Sequence, residues 1–444
     1  MSSFVETIKK AGVIGAGGAG FPTHVKLDAK AEYVIVNGAE CEPLLRVDQQ
    51  LLSVYPDEIL DALNQVVREV EAKKGILALK KKYHLAIENL TERIKKYEGL
   101  EIFLLDDFYP AGDEQATVYE VLKRIVPEGG IPIEVGAVVL NAETLLNIHH
   151  AVSDIPVTEK YVTVAGAVRR PVTLKVPVGT DFETLIQAAG GPMEKDYAII
   201  NGGPMMGKLL EGEGFVKKNT KGIILLPKDH YLVQAKKKPI EAMIRESRIA
   251  CCQCSLCTEV CPRNLLGHRL NPHKLMRITG YNGVCDASAS AQEAFLCCEC
   301  GLCEQACVMG LQPWKLNQML KGKLAAAGIK NPYRNRPEEA SPFREYRKFP
   351  VKRLIQRLGL EQYNVDAPLD ETFKLEIKEV KIEFRQHIGA PAEPVAAVGD
   401  RVAAKQVIAG TPDGKMGILI HSSIDGIVTS VSEEAVVISA GREV

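Results

Sequence analysis

No stretch of this 444-residue chain approaches the ~18 consecutive apolar residues that a membrane-spanning helix needs. Excess charge of either sign is also missing: 55 Lys and Arg stand against 56 Asp and Glu, a formal net charge of −1. Bulk electrostatics therefore directs the chain toward neither nucleic acid nor an anionic membrane surface. The N-terminus, MSSFVETIKKAG, mixes acid and base and lacks the apolar core of a secretory signal. Disulfides are not expected in a long chain without such a signal, so the expected compartment is reducing and cytoplasmic. Phe4, Val5 and Ile8 fall on one face of a short helix, suited to packing or to use as a docking peptide. The hydrophobic content, 46%, is that of ordinary globular protein. The length suggests about three or four domains.

Cysteine, in contrast, is plentiful and patterned. Eight of the 12 cysteines form two C-x2-C-x2-C-x3-C runs, at Cys251, Cys254, Cys257 and Cys261 and at Cys297, Cys300, Cys303 and Cys307. The offset between the runs is a constant 46 residues, so this is an internal repeat. Structural zinc commonly uses two separated C-x2-C pairs instead. The spacing is that of the bacterial ferredoxin run, in which three close thiolates hold one 4Fe–4S cluster and the fourth ligates the other. Two 4Fe–4S clusters are expected, one on Cys251, Cys254, Cys257 and Cys307, the other on Cys297, Cys300, Cys303 and Cys261. Pro262 follows the first run, and Val308 takes that place in the second. Cys252 and Cys298 share an extra position and are expected as buried thiols beside the clusters rather than alternative ligands. Cys285 reads as an isolated thiol.

The N-terminal region opens on GVIGAGGAGFPTHVK, where Gly15, Gly17 and Gly20 formally match G-x-G-x-x-G, with Glu40 about 20 residues on. A dinucleotide fingerprint needs a preceding strand and a helix opening at the last glycine. Here a helical segment precedes, and Phe21-Pro22-Thr23 intervenes. What remains is a glycine loop whose backbone N–H groups can approach a phosphate or a planar ring, with Lys26 as a nearby cation. Tyr33–Val36 reads as a buried strand that delivers Asn37-Gly38-Ala39-Glu40-Cys41-Glu42-Pro43 at its carboxyl end, where α/β sheets place ligands. Helical segments at about 56–73 and 84–97 follow, then the strand IFLLD, the turn Tyr109-Pro110-Ala111-Gly112-Asp113-Glu114, and a strand running into a helix capped near Asn141. This order implies a layered α/β domain. His149-His150 has no ligand-type neighbours at metal spacing and reads as packing or surface.

Beyond about Thr158, YVTVAGAVRRPVTLKVPVGT reads as a hairpin and DFETLIQAAGG as a short helix capped by Asp181. Gly-Gly-Pro-Met-Met, at 202–206, reads as a turn or a binding rim. Residues 331–368, rich in Pro, Arg and Glu, read as an extended linker. The tail is all short strands and glycine turns. Lys415, in Asp413-Gly414-Lys415-Met416, sits near a hairpin but reads as a solvated turn rather than a carrier lysine.

GAGGAGFPTHVK, NGAECEP, YPAGDE and VLNAETL resemble the flavin-site motifs of the complex I 51-kDa (NADH-binding) subunit and of its RnfC relatives. They resemble even more the PduS-type cobalamin (corrin) reductases, to which NGAECEPLLRVDQQLL is particularly similar. The resemblance covers nearly the whole chain. It implies a multidomain α/β and α+β protein: a layered α/β FMN/NADH-binding domain (1–157), an SLBB β-grasp domain (158–236), an α-helical two-cluster ferredoxin domain (237–330), the linker, and a lipoyl-like barrel-sandwich domain (369–444). Carried over, Gly15, Gly17, Gly18 and Lys26 would hold the FMN phosphate and ribityl chain. Asn37 and Glu40 would flank the ring, with Glu40 as catalytic residue. Gly112, Asp113, Glu114, Asn141 and Thr144 would line the flavin and nicotinamide side. Departures from the 51-kDa pattern (Ala16 for Arg, Ala39 for Asp, Asp113 for Glu, Leu140 for Asn) fall on the nicotinamide contacts.

RnfC proteins carry the barrel-sandwich module at the N-terminus; PduS proteins carry it at the C-terminus, as here. The implied activity is electron transfer from NADH through FMN and two 4Fe–4S clusters to cobalamin, from cob(III)alamin to cob(II)alamin or cob(I)alamin, reactivating a B12-dependent diol dehydratase. Adenosyltransferase and microcompartment shell proteins are the implied partners. No Asp-x-His-x-x-Gly corrin-binding motif is present, so the corrinoid contact is expected to be transient. The alternatives are an RnfC-like subunit of a membrane-associated NADH:ferredoxin oxidoreductase and a module that routes electrons through a shell without oxidising NADH.

Overall fold

The computed structural model describes residues 2–281, 289–373, 375–412 and 414–441; Cys285 and Asp413 lie outside them. In the N-terminal region the apolar runs become four parallel strands in the order Leu100–Leu105, Lys74–Lys80, Tyr33–Gly38, Ala137–Asn141. Strands Tyr33–Gly38 and Ala137–Asn141 read as near-continuous apolar runs because both faces are covered. Helices Pro56–Glu69 and Ala142–Val152 pack on one face through Ile59, Leu63, Leu145 and Ile148. Val5 and Ile8 of helix Ser3–Lys10 are sealed into the same core, so that face serves packing and not docking. Only an isolated bridge, Ile14 to Pro22, precedes the short helix Thr23–Leu27, which leaves the glycine loop without the strand of a dinucleotide fold. Pairing of Asn37 with Asn141 brings two polar strand ends side by side at the sheet's carboxyl edge.

The next unit is a six-stranded mixed sheet built around the antiparallel pair Glu159–Gly166 and Val172–Pro177, with helix Phe182–Ala188 capped by Asp181 as expected. Its edge strand, Leu369–Asp370, arrives from far along the chain. The tail forms two small sheets of four and three strands around Val380, Ile382, Phe384, Ile408, Ile420 and Ile438. Lys415 is exposed in a bend, as a solvated turn requires.

Residues 331–368 depart from the expected extended linker. Phe349–Pro350 pairs with Phe108–Tyr109, and Val351–Arg357 is a helix. Val351, Leu354, Ile355 and Leu358 bury themselves against Tyr109, Leu232 and Cys300. Arg344 forms a buried pair with Glu120, 2.5 Å away. The segment is a strap that ties the first domain to the sheet domain and the cysteine-rich helices. Burial of its apolar stripe outweighs the entropy a free linker would keep.

Candidate functional site

The polar residues at the carboxyl edge of the first sheet converge into one network. Thr144 Oγ1 accepts a hydrogen bond from the Ala16 N–H at 3.0 Å, which fixes the glycine loop over the start of helix Ala142–Val152. Asn141 caps that helix by accepting from the Glu143 N–H at 3.1 Å and donates its Nδ2 to Asp48 Oδ1 at 2.9 Å. A Cβ on Gly17 would stand 2.9 Å from Asn141 Nδ2, whereas one on Gly18 would meet nothing within 4 Å. The open side of the loop is therefore at Gly18. Asn37 Nδ2 donates to the Gly112 carbonyl at 2.8 Å. A Cβ on Gly112 would lie 2.6 Å from the Ala39 carbonyl, so only glycine lets these two loops close on each other. The motifs separated in sequence thus share one locus.

Glu40 lies at its centre. Its Oε2 accepts from the Asp48 N–H at 3.1 Å, while the buried Oε1 has no hydrogen-bond partner among the described residues. Burial pushes the carboxyl up to about 7, against the pull of Lys221, whose Nζ is 3.8 Å away. Lys221 also pairs with Asp48 and, though burial opposes it, is held above the usual lysine range by these carboxylates. Lys221 stands at the head of strand Gly222–Pro227 in the second sheet, so the locus is completed by a residue the motif reading missed. No local pattern marks it.

Two expected contacts are already engaged within the chain. Lys26 Nζ donates to Glu114 Oε1 at 2.7 Å and to the Val139 carbonyl at 2.8 Å. Asp113, expected on the flavin and nicotinamide side, caps helix Glu114–Leu122 and takes a two-pronged hydrogen bond from Arg263 at 2.6 and 2.8 Å. Its carboxylate faces the cysteine-rich domain. Burial alone would raise it, but Arg263 keeps it below the usual carboxylate range. Other domains also hold the glycine loop: Lys218 Nζ donates to the Gly12 carbonyl at 2.9 Å, and the Ile388 N–H to the Gly20 carbonyl at 3.1 Å. Glu42 accepts the N–H groups of Met205 and Met206, each at 2.9 Å, which makes the Gly-Gly-Pro-Met-Met turn a clamp on the NGAECEP segment.

The cysteine runs gather their thiols into two sets. Cys251, Cys254, Cys257 and Cys307 line a hollow, with Met276 and Leu311. Each run turns through left-handed residues at matching positions, Gln253 and Ser255 in the first and Glu299 and Gly301 in the second. Around the other set, thiol interacts with thiol: Cys303 lies in the electrostatic reach of Cys297 and Cys261, and Cys300 in that of Cys303. Burial raises Cys257 to about 12, an unfavourable setting for a bare thiolate that iron would relieve. The donor set fits two cubane clusters with the fourth ligand exchanged between runs. Cys298 is half-buried beside the second set, but Cys252 is exposed, contrary to the expected burial, because its copy of the repeat faces outward.

A buried seam joins the two centres. Tyr109, 1% exposed, donates its hydroxyl to the Cys300 carbonyl at 2.6 Å. Cys41 accepts from the Gly112 N–H and is pushed up to about 11, chiefly by burial. The Arg263–Asp113 pair crosses the same boundary.

Comparison with known proteins matches this architecture. The family model of the Nuo51 FMN-binding domain matches residues 8–150 and that of the SLBB domain residues 161–209. The 4Fe-4S dicluster model matches residues 250–312 and the RnfC barrel sandwich hybrid model residues 371–443. FMN and 4Fe–4S clusters are therefore the cofactors of these domains. An NAD+-reducing NiFe hydrogenase shares the fold at TM-score 0.50 and 21% identity, over 81% of this chain and 66% of its own. One component of the Na+-translocating ferredoxin:NAD+ oxidoreductase complex of Acetobacterium woodii is 33% identical over 59% of this chain and 58% of its own. The proteins named cobalamin reductase PduS from Citrobacter freundii and Salmonella typhimurium are each 42% identical over 98% of this chain and 96% of their own. With kinship of that depth over nearly its full length, the chain belongs to the PduS family.

Proposed function

We propose that this chain is an NADH-dependent oxidoreductase that passes electrons to cobalamin, taking cob(III)alamin to cob(II)alamin and onward to cob(I)alamin. The observation that carries the reading is the near-complete kinship with two cobalamin reductases, combined with one locus fit for a flavin and two fit for clusters. When bound, the flavin supplies the exchange between two-electron hydride chemistry and the one-electron chemistry of the clusters. The chain's residues supply the rest. Gly15, Gly17 and Gly18 offer backbone to the phosphate and ribityl chain, and Asn37, Gly112, Asn141 and Thr144 fix the walls around the ring. Glu40 is poised near neutrality at Oε1, able to hold or release a proton beside the ring and to orient the nicotinamide. Lys26 and Glu114, joined to each other, close the far side. Asp113 supports the site as a cap and an interdomain tie. The eight motif cysteines, Cys251, Cys254, Cys257, Cys307, Cys297, Cys300, Cys303 and Cys261, hold the clusters.

Among the described residues no helix is long and apolar enough to cross a membrane. The C-terminal place of the barrel-sandwich domain favours the corrin reductase over an RnfC-like subunit, its main alternative. Reactivation of a diol dehydratase, handover to an adenosyltransferase and residence in a microcompartment are the setting that PduS kinship supports. An anaerobic NADH titration tests the reading. NADH should bleach the bound flavin, and added hydroxocobalamin should then be reduced as the protein reoxidises. Flavin bleaching with every corrinoid left untouched would favour the RnfC-like alternative; no bleaching would favour a module that only routes electrons.

A further inference from the structure

The two cysteine sets share a ligand pattern but not a setting. In the set Cys297, Cys300, Cys303 and Cys261, three thiols are buried, and Tyr109 and Arg263 bind this side of the domain to the flavin locus at 2.6 to 2.8 Å. The other set lines a hollow that opens outward: Cys254 and Cys252 are exposed. Its rim is apolar: Val308, 64% exposed, and Met309, 49% exposed, stand at its mouth. Val308 stands where the first run has the buried Pro262, so the repeat has been changed at the point where the second run meets solvent. Exposed large apolar side chains gathered at one opening mark a contact surface.

We infer that the hollow of Cys251, Cys254, Cys257 and Cys307 is the electron exit, and that Cys252, Val308 and Met309 form the face on which a free corrinoid docks. The inference rests on the corrin reductase reading and adds the place of transfer. A corrinoid presents a broad ring face that a shallow apolar rim can cover without a dedicated ligand, as a brief encounter requires. The buried set offers an acceptor no such approach. The balance is one electron per cobalt: each NADH gives a hydride, becoming NAD+, and two cob(III)alamins leave as two cob(II)alamins with one proton released.

The test reduces the cluster-loaded protein with dithionite, removes the excess, and follows its anaerobic reoxidation by hydroxocobalamin in stopped flow. Dithionite bypasses the nicotinamide site. Val308→Glu/Met309→Glu should slow reoxidation about tenfold, the effect of losing ~1.4 kcal/mol at the encounter. Val308→Ser/Met309→Ser, which adds no charge, should slow it severalfold. Leu85→Glu, at an exposed position of the first domain, should match wild type. Iron, sulfide and flavin contents and the reduced EPR spectrum serve as folding controls. Rim variants with full clusters that reoxidise at the wild-type rate overturn the docking face. A wild-type protein that never reduces hydroxocobalamin refutes the underlying function instead.

Discussion

Arg263→Met probes the joint between flavin locus and clusters. The guanidinium holds both oxygens of Asp113, at 2.6 and 2.8 Å, with side-chain exposures of only 10% and 15%. Methionine keeps much of the apolar stem but removes the charge, leaving a buried carboxylate whose remaining support includes the Ala116 N–H at 3.0 Å. Breaking one partner out of a buried pair costs about 3–5 kcal/mol. Removing both charges in Asp113→Leu/Arg263→Met should cost far less, about 1–2 kcal/mol, mostly the lost helix cap. Each single variant leaves one buried charge unpaired, so the two singles together should exceed the double by about 4 kcal/mol or more, which is the coupling energy the double-mutant cycle reads. The assay is built into the sequence: Trp314, the single tryptophan, lies among Cys257 and Cys303 and donates to Glu304 at 2.6 Å. Its fluorescence, followed through an anaerobic urea titration, reports the cluster domain separately from the others, which a multidomain chain demands. Additive costs, or a single-variant loss below about 1 kcal/mol, would refute the claim that this pair carries the joint.

Cys307→Ser and Cys261→Ser should each lower iron from about eight to about four per chain, and should abolish different EPR signals; loss of the same signal in both would undo the crossed ligation. Gly17→Val should empty the flavin site while sparing iron, read from FMN released on acid denaturation; a full complement of FMN would place the site elsewhere. Glu40 is raised in the folded chain, so the stability it lends is whole below its ordinary range near 4.5 and fades as pH rises through about 7. Flavin-free Glu40→Gln should therefore lose a downward slope of about 1 kcal/mol per pH unit between those values; an unchanged pH profile of the urea midpoint would contradict the burial argument. Leu354→Ala in the strap, fully buried, should cost about 2–5 kcal/mol; a cost near zero would restore the free-linker reading.

Legibility in the sequence followed the distance between partners. The cluster cysteines were readable because all eight lie within 57 residues and repeat at one offset. The Asn141 and Asp181 caps were readable because a cap is decided within three residues of its helix. Lys221 was not readable: it meets Glu40 and Asp48 only after two domains dock, and a lysine before an apolar strand carries no local mark. Asp113 was read as a ligand residue from its motif, whereas its partner, Arg263, comes from another domain. The strap is a different case, since its signal was present. Val351, Leu354, Ile355 and Leu358 fall at i, i+3, i+4 and i+7, the spacing of a buried helical stripe. Proline and charge on either side outweighed one short apolar stripe in the reading, but not in the fold.

The repeat itself shows what equal spacing leaves undecided. Both runs need a left-handed residue two places before their third cysteine. The second run uses Gly301 there, which adopts that backbone at no steric cost; the first uses Ser255 at φ 60°, a conformation L-residues disfavour by about 1–2 kcal/mol. Pro262 starts its helix in the buried half, and Val308 leaves its counterpart facing solvent. The thiols had to stay for iron to be held, so the two copies could diverge only in the residues between and beyond them. Those residues decide which cysteine set is walled into the protein beside the flavin locus and which one opens to an acceptor. Direction of electron flow is thus written in the neighbours of the ligands, not in the ligand motif.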